Sequence, residues 1–147
     1  MTKAIYFDMD GTITNLYGEE NWLANLLNER TKPYREAKPL VNMRALGREL
    51  NRLQNLGYVV GIVSWGCKNA TNEYDERIAK TKLNWLKKHI GAVEWNEIYI
   101  IKHGTPKYAV VKNENGILFD DEEKNRNEWN GTAYDVDNIM GVLKGLK

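Results

Sequence analysis

Short apolar runs along the chain alternate with stretches of helical periodicity. Four runs end abruptly at polar residues, and they span 4–7, 58–63, 98–101 and 116–119. Continuous apolar runs of this length are typical of strands buried on both faces of a parallel sheet. A fifth, less apolar run at 132–136 suits a strand at the edge of that sheet.

Helical stripes lie between these runs. One stripe predicts a helix over 40–56 and consists of Met43, Leu46, Leu50 and Leu53. A second stripe precedes the third strand and consists of Ala79, Leu83, Leu86 and Ile90. A closing helix is predicted from Ile139, Val142, Leu143 and Leu146. Alternation of strands and helices predicts an α/β fold: a three-layer α/β/α, Rossmann-like domain with a mainly parallel sheet.

The segment 14–39 interrupts this alternation. It contains a helix-like piece at 19–29 and then a polar stretch in which Pro33 and Pro39 are breakers. Because it follows the first strand, it must pass over the carboxyl ends of the strands, where ligands bind in such sheets. We therefore expect a single domain over 1–147, with 14–39 as a minimal helical lid.

The composition excludes some classes of function but does not identify one. The chain has 147 residues and a formal net charge of +1, so nucleic acid is a possible partner but not a favoured one. Cys67 is the single cysteine, which agrees with a reducing compartment. The first apolar run is too short for a secretory signal, and no window has the roughly 20 apolar residues of a membrane span. We expect a cytoplasmic protein that does not enter the membrane.

Polar residues suited to catalysis follow four of the predicted strands. They are Asp8 to Thr12, Ser64 to Gly66, Lys102 to Lys107, and Asp120 with Asp121. In a parallel sheet these strand ends lie together. Carboxylates at Asp8, Asp10, Asp120 and Asp121 would repel one another without a cation, and Mg²⁺ is the hard divalent ion that best suits oxygen ligands.

These four elements, in this order, resemble the motifs of the haloacid dehalogenase-like (HAD) hydrolase superfamily. The first motif is Phe7-Asp8-Met9-Asp10-Gly11-Thr12, and the others are represented by Ser64, Lys107 and Asp120-Asp121. The resemblance is to small-cap phosphatases. Two further patterns are similar to 5′(3′)-deoxyribonucleotidase-type and small phage-type members, namely Lys82-Leu83-Asn84-Trp85-Leu86 and Asp120-Asp121 followed by Asn125 and Trp129.

The resemblance implies a phosphatase that forms an aspartyl-phosphate. Asp8 would be the nucleophile, and Asp10 would act as acid and then base while giving its backbone carbonyl to Mg²⁺. Gly11 and Thr12 would form the turn, and Ser64, with backbone N–H groups near Trp65 and Gly66, would bind the phosphate. Lys107 would balance charge on the nucleophile and phosphoryl group, and Asp120 and Asp121 would hold the metal, one of them directly.

Several alternatives stay open at this point. Lys102 competes with Lys107 for the third motif, and Trp22 is either core or a surface on which a nucleotide base stacks. The expected substrate is a small phosphomonoester such as a nucleotide, and the alternative is a polynucleotide or protein phosphate end. A homodimer that helps to close the small lid and a non-catalytic binding module are further readings. Asp10 argues against dehalogenation, which needs no acid two residues after the nucleophile.

Overall fold

A five-stranded parallel sheet forms the centre of the computed structural model, which describes residues 2–147. The strands are β1 (Ala4–Phe7), β2 (Val59–Trp65), β3 (Glu97–Ile101), β4 (Ile117–Phe119) and β5 (Thr132–Tyr134). Their order is β3-β2-β1-β4-β5, and every neighbouring pair is parallel. The predicted α/β, Rossmann-like class is confirmed. Because β1 is central, the residues that follow it lie at the middle of the carboxyl edge.

Six α-helices surround the sheet. They are α1 (Trp22–Leu27), α2 (Lys32–Glu36), α3 (Met43–Asn55), α4 (Asn72–Ile90), α5 (Glu123–Glu128) and α6 (Ile139–Gly145). Short 3-10 helices occur at Leu16–Gly18, Lys107–Ala109 and Val136–Asn138. Within residues 2–147, no helix combines the length and the apolar character that crossing a bilayer requires.

The two faces of the sheet pack against different parts of the chain. Residues of α3, α4 and α6, such as Leu50, Trp85 and Leu143, share one buried cluster with Ile5 and Phe7 of β1. On the opposite face, Tyr6 packs in a second cluster with Trp129, which caps α5. Alternate residues of β1 therefore serve opposite layers, and all four are buried.

The buried stripe of α4 differs from the predicted one. The side chains that face inward are Tyr74, Ile78, Lys82, Trp85, Leu86 and Ile90. Leu83, which the apolar pattern placed in the stripe, is 36% exposed, whereas Lys82 is 1% exposed. The helix also begins well before the apolar pattern, because Thr71 accepts a capping hydrogen bond from the Tyr74 N–H at 3.2 Å. A lysine thus occupies a core position on this helix.

The lid segment 14–39 is attached to α4. The predicted helix at 19–29 is the shorter α1, and the stretch expected to be irregular contains α2, with Pro33 in its first turn. Side chains of the lid and of α4 form a cluster of Leu16, Leu26, Tyr34, Tyr74 and Ile78. Tyr74 Oη donates to the Arg30 carbonyl and Trp85 Nε1 to the Ala37 carbonyl, both at 2.7 Å. These bonds fix both ends of α2 to one helix.

Candidate active site

The turn after β1 is tightly wound around one carbonyl group. The Met9 carbonyl accepts from the N–H groups of Thr12, Ile13 and Thr14, each at 3.0 Å. Gly11 has a φ of +80°, and a Cβ at this position would collide with the Asp121 carboxylate. Glycine is therefore required both by the left-handed backbone and by the close approach of the segment that follows β4.

Asp8 is a buried carboxylate with a donor on each oxygen. The residue is 5% exposed. Lys107 Nζ donates to its Oδ1 at 2.8 Å, and Thr12 Oγ1 donates to its Oδ2 at 2.9 Å. This pairing fixes the orientation of the Asp8 carboxylate.

Lys107 joins β1 to β4. Its ammonium donates to Asp8 Oδ1 and, at 2.7 Å, to Asp120 Oδ2. Burial alone would lower the pKa of Lys107, but the charges of Asp8 and Asp120 outweigh this effect and the pKa lies above its ordinary value. Lys102, the alternative lysine, has a side chain that is 64% exposed and lies beside Asp75 at 4.0 Å. The geometry therefore favours Lys107 for the third-motif role.

Three carboxylates converge at the carboxyl edge of the sheet. Oxygen atoms of Asp8, Asp120 and Asp121 all lie within 4.8 Å of one another. Burial and the neighbouring Asp8 charge raise the pKa of Asp120 to about 6, despite its contact with Lys107. Burial, Asp8 and Asp120 raise the pKa of Asp121 to about 8. Negative charge at this point is thus only partly compensated by the protein.

The donor set at this cluster fits a hard divalent cation. All three side chains offer oxygen, and the Asn125 amide lies beside them, donating from Nδ2 to Asp120 Oδ2 at 3.1 Å. The Oδ1 atom of Asn125 is buried without a hydrogen-bond partner. Oxygen ligands with excess negative charge are what Mg²⁺ requires. Asp120, Asp121 and Asp8 are therefore suitable ligands.

The Asp10 carboxylate is turned away from this cluster. Its Oδ2 accepts from Lys82 Nζ at 2.8 Å and its Oδ1 accepts from Thr14 Oγ1 at 3.3 Å. Burial raises the pKa of Asp10, Lys82 opposes this, Asp8 adds to it, and the net pKa is above the ordinary value. The side chain of Asp10 does not join the metal cluster, so its predicted role as a ligand rests on its backbone carbonyl alone.

The second-motif residues are arranged differently from the expectation. Ser64 is 0% exposed, and its Oγ accepts from Lys82 Nζ at 2.8 Å. The Gly66 N–H, expected to bind phosphate, donates instead to the Ile101 carbonyl at 2.6 Å, because β2 and β3 stay paired to this point. In this structure the Gly66 N–H is therefore already paired, and phosphate binding by N–H groups near Trp65 and Gly66 stays a prediction. A Cβ at Gly66 would collide with Asp75 of α4, so glycine here permits helix packing.

Lys82 is the site residue that the sequence reasoning missed. Its role was hidden because apolar residues alone were used to define the stripe of α4. The signal was present, since Tyr74, Ile78, Lys82 and Trp85 recur at spacings of a single helix face. A lone charged residue in phase with a buried stripe indicates a buried partner.

Two cavities meet at Asp10. The smaller, about 60 Å³, is lined by Asp8, Asp10, Trp65, Gly66, Lys107 and Asp121. The larger, about 520 Å³, extends beneath the lid, and its walls include Leu16, Tyr17, Trp22, Leu26, Tyr34 and Tyr74. The two share Asp10, Tyr17, Gly66 and His103. A small polar cavity thus opens into a larger aromatic one.

Trp22 contributes to both the lid and the larger cavity. Its ring meets Tyr17 edge to face with centroids 5.0 Å apart, and it packs partly buried against the lid cluster. The basic lid residues expected to meet a second phosphate are all exposed and lie outside the cavity lining, namely Arg30, Lys32, Arg35 and Lys38.

Comparison with solved structures identifies the fold. The chain is similar to the crystal structure of D,D-heptose 1,7-bisphosphate phosphatase from Burkholderia thailandensis, with a TM-score of 0.52 and 14% sequence identity. The similarity covers 86% of this chain and 70% of that one. No family model and no curated protein sequence matches. At this identity the likeness shows the fold alone, which is the parallel, Rossmann-like α/β fold that the sequence predicts.

The raised pKa values of the carboxylate cluster predict a metal effect on stability. With Asp120 near pKa 6 and Asp121 near 8, these two carboxyl groups hold more protons in the folded chain than in the unfolded chain between about pH 4 and pH 8. Without metal, the stability that they contribute should therefore fall as pH rises from about 4 to 8. Mg²⁺ should raise the melting temperature more at pH 8 than at pH 5.

Asp121→Asn is the variant that tests this effect. Without metal at pH 8, it should melt at a higher temperature than the wild type, and Mg²⁺ should stabilise it less. Asp137→Asn, which makes the same change of formal charge at an exposed position, is the control. Mg²⁺ should raise its melting temperature as much as that of the wild type. If Mg²⁺ raised the melting temperature of Asp121→Asn as much as that of the wild type, the assignment of the carboxylate cluster as a metal site would be contradicted.

Proposed function

We propose that this protein is a Mg²⁺-dependent phosphatase that hydrolyses a phosphomonoester through an aspartyl-phosphate on Asp8. The observation that carries the proposal is the setting of Asp8, which is held by Lys107 and Thr12, adjoins Asp120 and Asp121, and lines a small polar cavity. The HAD-like fold and the phosphatase named for its structural neighbour support the same reaction class.

Asp8 is the nucleophile of the proposed reaction. Its carboxylate attacks phosphorus, the bond from phosphorus to the leaving oxygen breaks, and an acyl-phosphate forms. Thr12 and Lys107 hold the carboxylate, and Lys107 offsets charge on the phosphoryl oxygens. Asp8, Asp120, Asp121 and the Asp10 backbone carbonyl would hold Mg²⁺, which would supply positive charge beside the phosphoryl group.

Asp10 is the acid and then the base. It lines both cavities, so its carboxyl group lies between the phosphoryl site and the leaving group. Its raised pKa supports a protonated fraction that donates to the leaving oxygen. The resulting carboxylate then accepts a proton from the water that attacks the acyl-phosphate, which releases phosphate and restores Asp8.

A screen of phosphomonoesters with Mg²⁺ tests the proposal. Asp8→Asn should abolish phosphate release, because an amide cannot form the acyl-phosphate, while the melting temperature shows that the variant is folded. Beryllium fluoride should bind the wild type as an aspartyl-phosphate analogue and should not bind this variant. Purified Asp8→Asn with near-normal turnover would overturn the mechanism.

The two candidate lysines provide a matched pair of variants. Lys107→Ala should lower kcat by about 10²-fold or more, because a preorganised donor to the nucleophile is lost. Lys102→Ala removes an equal charge from an exposed side chain and should leave kcat nearly unchanged. Steady-state kinetics on the same substrate measure both. The reverse order of effects would assign the third motif to Lys102.

A nucleoside monophosphate is the substrate class that we favour. The larger cavity offers aromatic walls, and its volume of about 520 Å³ lies in the range of small-molecule sites. The lid's basic residues are exposed and lie outside its lining, which includes one lysine, Lys68, so the aromatic walls match a planar base better than a second phosphate group. The alternative substrate, a polynucleotide or protein phosphate end, stays a prediction. Formation of a homodimer and a cytoplasmic location also stay predictions.

Trp22→Ala tests the nucleotide assignment. If the base stacks on Trp22, the loss should be about 1–3 kcal/mol in kcat/KM for nucleotides. Acetyl phosphate, which lacks a base, serves as the control substrate and should be hydrolysed almost as well as by the wild type. Equal loss on both substrates, with a lower melting temperature, would show that Trp22 only supports the lid.

A further inference from the structure

Lys82 is a core lysine whose ammonium group is fully paired. The residue is 1% exposed and lies midway along α4. Its Nζ donates to Asp10 Oδ2 at 2.8 Å, to Ser64 Oγ at 2.8 Å and to the Trp65 carbonyl at 2.7 Å. An ammonium group has three N–H donors, so each is used. Such pairing is what makes burial of a charge tolerable, and it fixes the ammonium group in one place.

The position of Asp10 depends on this ammonium group. Its other polar contact is the longer bond from Thr14 Oγ1 to Oδ1 at 3.3 Å. Asp8, two residues away in sequence, repels a negative charge on Asp10, and Lys82 offsets this repulsion. Lys82 supplies the opposite charge from the side away from the carboxylate cluster. Lys82 therefore holds Asp10 at the junction of the two cavities, and Asp10 lines both of them.

We propose that Lys82 is the positioning residue for the acid–base carboxyl group of Asp10, and that Ser64 and the Trp65 carbonyl serve to hold Lys82. The inference rests on the proposed phosphatase function. Lys82 lines neither cavity, so it acts through Asp10 rather than on the substrate. Because Lys82 donates to Oδ2, the proton that passes to the leaving oxygen is carried on Oδ1.

The proposal predicts that the loss of activity on removing Lys82 depends on the leaving group of the substrate. An alkyl leaving oxygen needs a proton from Asp10, whereas 4-nitrophenolate leaves without one. The first step with 4-nitrophenyl phosphate should thus tolerate a displaced Asp10. The second step uses Asp10 as a base for every substrate. Rapid mixing separates the two steps, because the first releases a burst of 4-nitrophenolate.

Lys82→Met is the principal test, and Lys80→Met, on an exposed position of the same helix, is its control. With the alkyl phosphomonoester that the wild type hydrolyses fastest, Lys82→Met should lower kcat by about 10²–10⁴-fold, with KM little changed. The burst with 4-nitrophenyl phosphate should stay within about fivefold of the wild-type rate. Adding Lys82→Met to Asp10→Asn should cause no further loss, since both changes remove one function.

Three outcomes would overturn the proposal. They are an alkyl kcat within about threefold of wild type, a burst lost as fully as alkyl turnover, and additive losses in the double variant. If Lys82→Met does not fold, Lys82→Arg is measured instead, because its planar group keeps the charge but cannot match three acceptors. Wild-type alkyl turnover in Lys82→Arg would then refute it. An inactive wild type would reject the phosphatase itself, whereas an active wild type with an inactive Asp8→Asn isolates the role of Lys82.

Discussion

The concentration of negative charge at the carboxyl end of β1 is the constraint on which the site depends. Four carboxylates lie around one turn, namely Asp8, Asp10, Asp120 and Asp121. Two buried ammonium groups, those of Lys82 and Lys107, form ion pairs with three of them. Buried ion pairs rarely add net stability, because desolvation offsets their attraction. The apolar sheet and helices must therefore hold these groups together, and the charge that remains makes the site fit a divalent cation.

The two lysines divide the carboxylates into two environments. Lys107 pairs with Asp8 and Asp120, beside Asp121. Lys82 pairs with Asp10 on the opposite side. Carboxyl groups with separate environments can perform separate tasks at one pH. In the proposed mechanism, this division would keep the nucleophile Asp8, beside the carboxylate cluster, apart from the acid Asp10, although the two residues are two positions apart in sequence.

The sequence allowed the parallel sheet and the carboxylate cluster to be predicted. β1 and β4 are continuous apolar runs, each followed by a polar residue, so their ends marked Asp8 and Asp120 directly. Lys82 could not be found by the same rule. Its partners Asp10 and Ser64 are 72 and 18 residues away, and an apolar stripe has no place for a lysine. The pairing of the Gly66 N–H with the Ile101 carbonyl was equally hidden, because the pairing of β2 with β3 extends further than the apolar run of β2.

The helix α4 contacts both the segment over the larger cavity and Asp10, the proposed acid. Tyr74 binds the lid at Arg30 and Trp85 binds it at Ala37, and Lys82 lies between these two positions on the same face. One rigid helix thus sets both the distance of the lid from the sheet and the position of Asp10. Exposed lid residues such as Leu23 and Leu27 take no part in these bonds. Changes at the exposed positions can therefore reshape the cavity while the acid stays in place, which separates substrate choice from chemistry in a chain of this size.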